Sequence, residues 1–187
     1  MPPHKSKRTL LPLDEQGLNN LGLRYVERFA TTRAKLGAYL DRKVRERGWS
    51  GDAPPDTAAM AARFADRGYV DDSGYALAKA RSLSARGYGK RRLSDALRAA
   101  GVEEQDSGAA RDHADEEAVD AAIRFARRRR IGPFAAGEAA SPQARDKALG
   151  AMVRAGHDYS LARAIVAMAP AGDADCEAIA AALRDLR

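Results

Sequence analysis

Cysteine is almost missing from this 187-residue chain, where Cys176 stands alone. A single cysteine forms no internal disulfide, cannot build a Cys-rich zinc site, and suits a reducing compartment. Histidine is nearly as scarce: His4, His113 and His157 form no HExxH or comparable cluster. Aromatic residues make up 6%. No apolar run approaches the ~20 residues needed to cross a bilayer. The segment Met1 to Leu13 carries basic residues and lacks the apolar stretch of a secretory signal. Nor does any strand-length run alternate β-branched with polar residues. The expectation is a soluble, cytoplasmic, all-α protein with no metal, no cofactor and no membrane contact. No GxSxG elbow or other catalytic constellation appears, so an enzyme is not expected either.

What the chain has in abundance is alanine and arginine. Both lose little side-chain freedom in a helix, which favours an all-helical fold. Of the 32 basic residues, 25 are Arg and 7 are Lys, and the net charge is +6. A basic balance of this size points to an anionic partner: nucleic acid, an acidic protein surface or a membrane surface. Arginine suits each, because its planar fork grips phosphate and carboxylate bidentately.

The charge is concentrated. Seven Lys/Arg and one acid, Asp95, lie between Lys79 and Arg98. Here two helical patterns flank Gly87-Tyr88-Gly89-Lys90-Arg91-Arg92. This is not a P-loop, which needs GxxxxGK[ST] after a strand. A helix N-terminus with open N–H groups beside Lys90, Arg91 and Arg92 would still favour an anion. Tyr88, between glycines, is the best candidate for an exposed stacking aromatic. A second cluster, Arg124 and Arg127 to Arg130, follows a stretch from Glu103 to Asp120 with eight acids and one base. Pairing of Asp120 with Arg124 at i,i+4 is open to it, but consecutive arginines cover every side of a helix. The candidate partner contacts are therefore Arg81, Arg86, Tyr88, Lys90, Arg91, Arg92, Arg124, Arg127, Arg128, Arg129 and Arg130. The paired acids Asp71-Asp72, with Ser73, read as a helix cap.

The punctuation of the chain repeats. Helix-stopping glycines with similar preceding sequence stand at Gly48, Gly101 and Gly156, with Leu40, Leu93 and Leu149 seven or eight positions earlier. A period near 50 residues predicts three tandem three-helix units stacked as an elongated array. Residues 1–13 read as a basic mobile tail, 14–69 as the first unit and 70–113 as the second. Residues 114–169 read as the third, with a linker at 131–140, and 170–187 as a short C-terminal helix. Phe29 continues the helical spacing of Leu18, Leu21, Tyr25 and Val26 in the first helix, while Tyr25, Trp49, Phe64 and Tyr69 sit at helical or post-glycine spacing and are expected in the core.

The ordered set Gly68-Tyr69-Val70-Asp71-Asp72, Tyr75-Ala76, Arg81, Gly87-Tyr88-Gly89, Arg92-Leu93, Leu97 and Gly101-Val102 resembles the RecX family of regulatory proteins. The resemblance covers about Leu36 to Val102, and the repeat layout extends it to about Met168. It implies an elongated array of three-helix repeats that is not an enzyme. It also implies a partner, the RecA–DNA filament, whose ATPase, strand-exchange and coprotease activities the protein would restrain in recombination and the SOS response, acting as a monomer. Some relatives of this kind bind single- or double-stranded DNA, so DNA contact by the basic patches is a further expectation. The dense arginines near 130 and the extra C-terminal helix depart from the family pattern. The alternative is a stand-alone helix-turn-helix DNA-binding protein reading bases with the helix after Gly89, although that helix offers few Asn or Gln base readers.

Overall fold

The computed structural model describes residues 11–137, 140–171 and 175–184. Among these the chain is all-helical, with ten α-helices, two short 3-10 turns and no strand. It divides into two compact units, residues 1–72 and 73–187.

The first unit holds α1 (Glu15–Val26), α2 (Arg33–Arg47) and α3 (Thr57–Asp66). Each begins at a side-chain cap: Asp14 Oδ1 accepts from the Gly17 amide, Thr32 Oγ1 from Lys35 and Asp56 Oδ1 from Ala59. Their apolar faces meet around Leu18, Leu36, Leu40, Met60 and Phe64, all buried. The expected basic tail ends in structure. Leu13 is buried and forms a two-residue bridge with Trp49, its amide donating to Gly48 O at 2.9 Å and its carbonyl accepting from Ser50. The cationic residues Lys5, Lys7 and Arg8 lie outside the described residues. Tyr69, expected in the core, is exposed and follows the turn that ends α3. Phe29, expected within the first helix, falls beyond the end of α1 and is exposed as well.

Asp72 closes the first unit. Its buried carboxylate accepts from the Arg33 amide at 2.9 Å and from Arg33 Nε at 3.2 Å. A carboxylate at the start of α2 offsets the helix dipole and satisfies an otherwise open N–H. The acid read as a cap for its own helix thus caps another, 39 residues earlier. Asp72→Ala is expected to cost about 2 kcal/mol, the range for hydrogen bonds to a charged group. Urea denaturation measures it, and an unmoved midpoint would leave the pair energetically idle.

The second unit holds most of α4 (Asp72–Ala85), then α5 (Lys90–Ala99), α6 (Gly108–Glu116), α7 (Ala118–Arg129), α8 (Pro142–Arg154), α9 (Tyr159–Ala167) and α10 (Cys176–Arg184). It has two core clusters. One gathers Ala76, Ala80, Leu83, Leu93 and Leu97 with Ala110 and Ala114. The other gathers Val119, Phe125, Met152, Ile165 and Leu183. Tyr88 packs against both. The acidic stretch after Glu103 is not one helix: a 3-10 turn at Glu104–Asp106 precedes α6, and Glu117 breaks α6 from α7. The segment 131–140, linker-like in composition, is partly core. Ile131 and Pro133 are buried, and Pro133 O accepts from the Ala171 amide at 3.0 Å. The start read at Asp173 for the last helix falls outside the described residues.

Helix ends share one construction. At Gly68, Gly87, Gly101 and Gly156 the glycine amide bonds back three residues and the next amide bonds back five, each glycine at positive φ. This is the Schellman turn, which closes the last open carbonyls of a helix. Gly48, grouped with Gly101 and Gly156 by sequence, differs. Its φ is 84° but its ψ is 168°, and its carbonyl pairs with Leu13.

Candidate functional site

The turn after α4 and the turn after α8 face each other. The Gly89 amide donates to Ala155 O at 3.0 Å, and the Arg91 amide donates to Gly156 O at 3.2 Å. From the other side His157 Nε2 approaches Gly87 O at 3.2 Å, so that nitrogen carries the proton, because a carbonyl only accepts. The approach is close enough that a Cβ on Gly89 would lie 2.5 Å from the His157 amide nitrogen and nearer still to the Gly156 carbonyl. His157 is buried, and desolvation pulls its pKa down to about 4 despite the Gly87 hydrogen bond, so it is neutral at pH 7. By sequence His157 is one of three scattered histidines, standing directly after the helix-stopping Gly156. Its role as a peg between two turns was signalled only by the glycine before it.

This packing changes how the basic segment is read. Two of the N–H groups expected to be open at the start of α5 are engaged, since Arg91 N–H bonds to Gly156 O and Arg92 N–H to Gly89 O. Lys90 Nζ pairs with Asp115 at 2.8 Å. The start of α5 is therefore part of a helix junction, not an open anion cradle. Tyr88 is half-buried, not fully exposed, and two guanidinium groups lie against its ring: Arg86 at 5.3 Å and Arg92 at 5.9 Å from the centroid. Such cation–π contacts hold the arginines in place while their exposed N–H groups remain available. Arg86, Tyr88 and Arg92, with Lys79 and Leu83, line a depression of about 340 Å³, where Asp95 is the one acid among the described residues.

The second arginine cluster separates into parts. Arg124 Nε donates to Ser84 O at 3.2 Å, and its Nη2 pairs with Glu117 at the start of α7. Arg128 Nη1 donates to Arg86 O at 2.6 Å. Both brace the carbonyl end of α4, where cations offset the helix dipole. The i,i+4 pairing of Asp120 with Arg124 is not formed, and Asp120 pairs instead with Arg184 at 2.8 Å. Arg129 and Arg130 line a different cleft beside α8. Arg81, Arg91 and Arg127 are exposed, and among the described residues their side chains engage no partner. The candidates brought together are thus Arg86, Tyr88 and Arg92, with Arg124 and Arg128 as supports behind them. Among the described residues no cluster of three or more His, Cys, Asp or Glu could hold a metal ion, and no helix is long and apolar enough to cross a membrane.

No protein-family model matches the chain. A curated relative does: the chain is 32% identical over 161 residues to the regulatory protein RecX of Myxococcus xanthus, covering 82% of this chain and 86% of that protein. Among solved structures, the crystal structure of RecX from Lactobacillus salivarius superposes with a TM-score of 0.59 at 16% identity, over 81% of this chain and 93% of that one. The structural likeness establishes the helical fold. The sequence likeness, which runs through most of both chains, establishes the kinship: this protein belongs to the RecX family, a family of regulatory proteins and not of enzymes.

Proposed function

We propose that this chain binds the RecA–DNA filament and lowers its ATPase, strand-exchange and coprotease activities, by binding and not by catalysis. The observation that carries the reading is the Arg86–Tyr88–Arg92 surface. There two guanidinium groups, set in place by one aromatic ring, stand over a depression with a single acid among the described residues. Exposed arginines held in one geometry lose little freedom when they meet phosphate or carboxylate, and the filament offers both. Bridging adjacent filament protomers would slow the subunit rearrangements that accompany ATP turnover. The three core clusters support the reading of the chain as tandem helical units. The helix-turn-helix alternative fits less well. A recognition helix offers its N-terminal residues to base edges, but the first turn of α5 is packed against the turn after α8.

The test is the single-stranded-DNA-dependent ATPase of RecA. Substoichiometric protein is expected to lower turnover, and unchanged turnover at excess protein, where filaments form, sinks the proposal. Charge reversal of Lys90, Arg91 and Arg92 to Glu is expected to weaken filament binding at least about tenfold with helicity retained, because like charges then face the filament. Undiminished binding would make this turn purely structural.

A further inference from the structure

A second surface lies apart from the Tyr88 depression. The end of α7, the 3-10 turn Gly132–Phe134, α8 and α9 enclose a cleft of about 290 Å³. Its floor is aliphatic: Ile131 and Val166 are buried, and Met168 is half-buried beside them. Its rim carries Arg129, Arg130, Arg145 and Lys147, all exposed. No Asp or Glu stands among the described residues that line it, and none of the four cations has a carboxylate partner among the described residues. Four cations around one apolar floor, with no carboxylate partner among the described residues, repel one another, and a ligand bringing negative charge relieves that repulsion.

The backbone supplies a second, independent observation. Arg130 occupies the position that glycine takes in the four other Schellman turns. Its amide bonds to Arg127 O, the Ile131 amide bonds to Ala126 O, and φ is 54°. Among the described residues it is the one non-glycine at positive φ. Glycine would adopt this conformation without a Cβ penalty. An arginine here strains the turn and places a cation on the cleft rim.

We propose that this cleft binds an acidic protein segment bearing one bulky apolar side chain. The apolar group sits on the Ile131–Val166–Met168 floor, and flanking carboxylates meet the four cations. A nucleic acid fits the cleft less well, because among the described residues no aromatic ring lines it to stack a base. The proposal is independent of the filament reading.

The test uses the full chain and a fluorescein-labelled peptide with Leu-Phe flanked by three acidic residues on each side, read by anisotropy. Saturable binding is expected. Arg130→Gly is expected to weaken it at least about tenfold while leaving Tm equal or higher, since the strain is removed. The pair Arg145→Glu and Lys147→Glu is expected to weaken it further, and Arg86→Ala with Arg92→Ala to leave it unchanged. The proposal is overturned if a peptide with Ser-Ser in place of Leu-Phe, or an oligothymidine of equal charge, binds as tightly. It is also overturned if Arg130→Gly binds undiminished, or if sedimentation shows self-association that Arg130→Gly abolishes, which would assign the cleft to a second copy.

Discussion

Gly89→Ala is expected to remove about 4 kcal/mol from the stability of residues 73–187, enough to leave most domains of ordinary stability marginal. The backbone gives no warning, because Gly89 has φ −84° and ψ 172°, extended values open to any residue. The cost is steric and non-local. The new methyl would overlap the Gly156 carbonyl and the His157 amide, so the two turns must separate. Separation weakens the bonds from Gly89 to Ala155 and from Arg91 to Gly156, each worth about 1 kcal/mol, on top of about 2 kcal/mol of overpacking strain. Gly68→Ala is the contrast. Gly68 sits at φ 75° with nothing within 4 Å of its absent Cβ, so it pays conformational strain alone, about 1 kcal/mol. Urea denaturation of both variants separates the two causes. Equal losses would show that Gly89 serves as ordinary turn punctuation.

Acidification is expected to destabilise the second unit through His157. In the unfolded chain this imidazole titrates at 6.5, and in the folded state near 4, because burial disfavours the cation. Between those values the unfolded chain binds the proton more readily, so stability falls as pH falls. The contribution is whole above pH 6.5, reduced by about 2 kcal/mol at pH 5, and reduced by roughly 3 kcal/mol once pH is below 4. The protonated ring would also bring a buried charge against the Phe125 ring edge, 5.3 Å between centroids. His157→Gln keeps a donor for Gly87 O without a titrating group. Its stability, whatever its level at pH 7.5, should fall less steeply between pH 7 and 5 than that of the parent. Parallel slopes would show that His157 does not carry the dependence.

Much of the local architecture was legible in residue order. Alanine and arginine richness implied helices. Thr31 or Thr32, Asp56, Ser141 and Asp158 are helix-capping residue types whose oxygens can reach amides two or three residues on, and the structure forms those bonds from Thr32, Asp56, Ser141 and Asp158. Gly101 and Gly156 read as stops because a left-handed glycine ends a helix with least strain, and Gly68 and Gly87 end helices in the same way. What escaped was non-local. Nothing in the spacing of Gly87, Gly89 and His157 says that they meet, because close approach depends on how α4, α7 and α8 pack. The arginine run looked uniform, yet Arg124 and Arg128 serve the carbonyl end of a helix some 40 residues earlier, while Arg129 and Arg130 line a different cleft. Asp72 was recognised as a cap, but the helix it serves could not be inferred from adjacency.

The junction of the two turns also sets an order of events during synthesis. Gly87 and Gly89 leave the ribosome before the strand of chain that completes them, since Ala155, Gly156 and His157 follow some 70 residues later. At ordinary elongation rates the wait is roughly 3 to 14 s, long against the microseconds in which helices form. During that interval α4 and α5 exist with a bare Gly87 carbonyl and a bare Gly89 amide, and the Arg86–Tyr88–Arg92 surface lacks its backing. The basic surface is thus assembled late, by the C-terminal half of the chain, and a nascent protein shorter than about 160 residues carries its cations without the geometry that organises them.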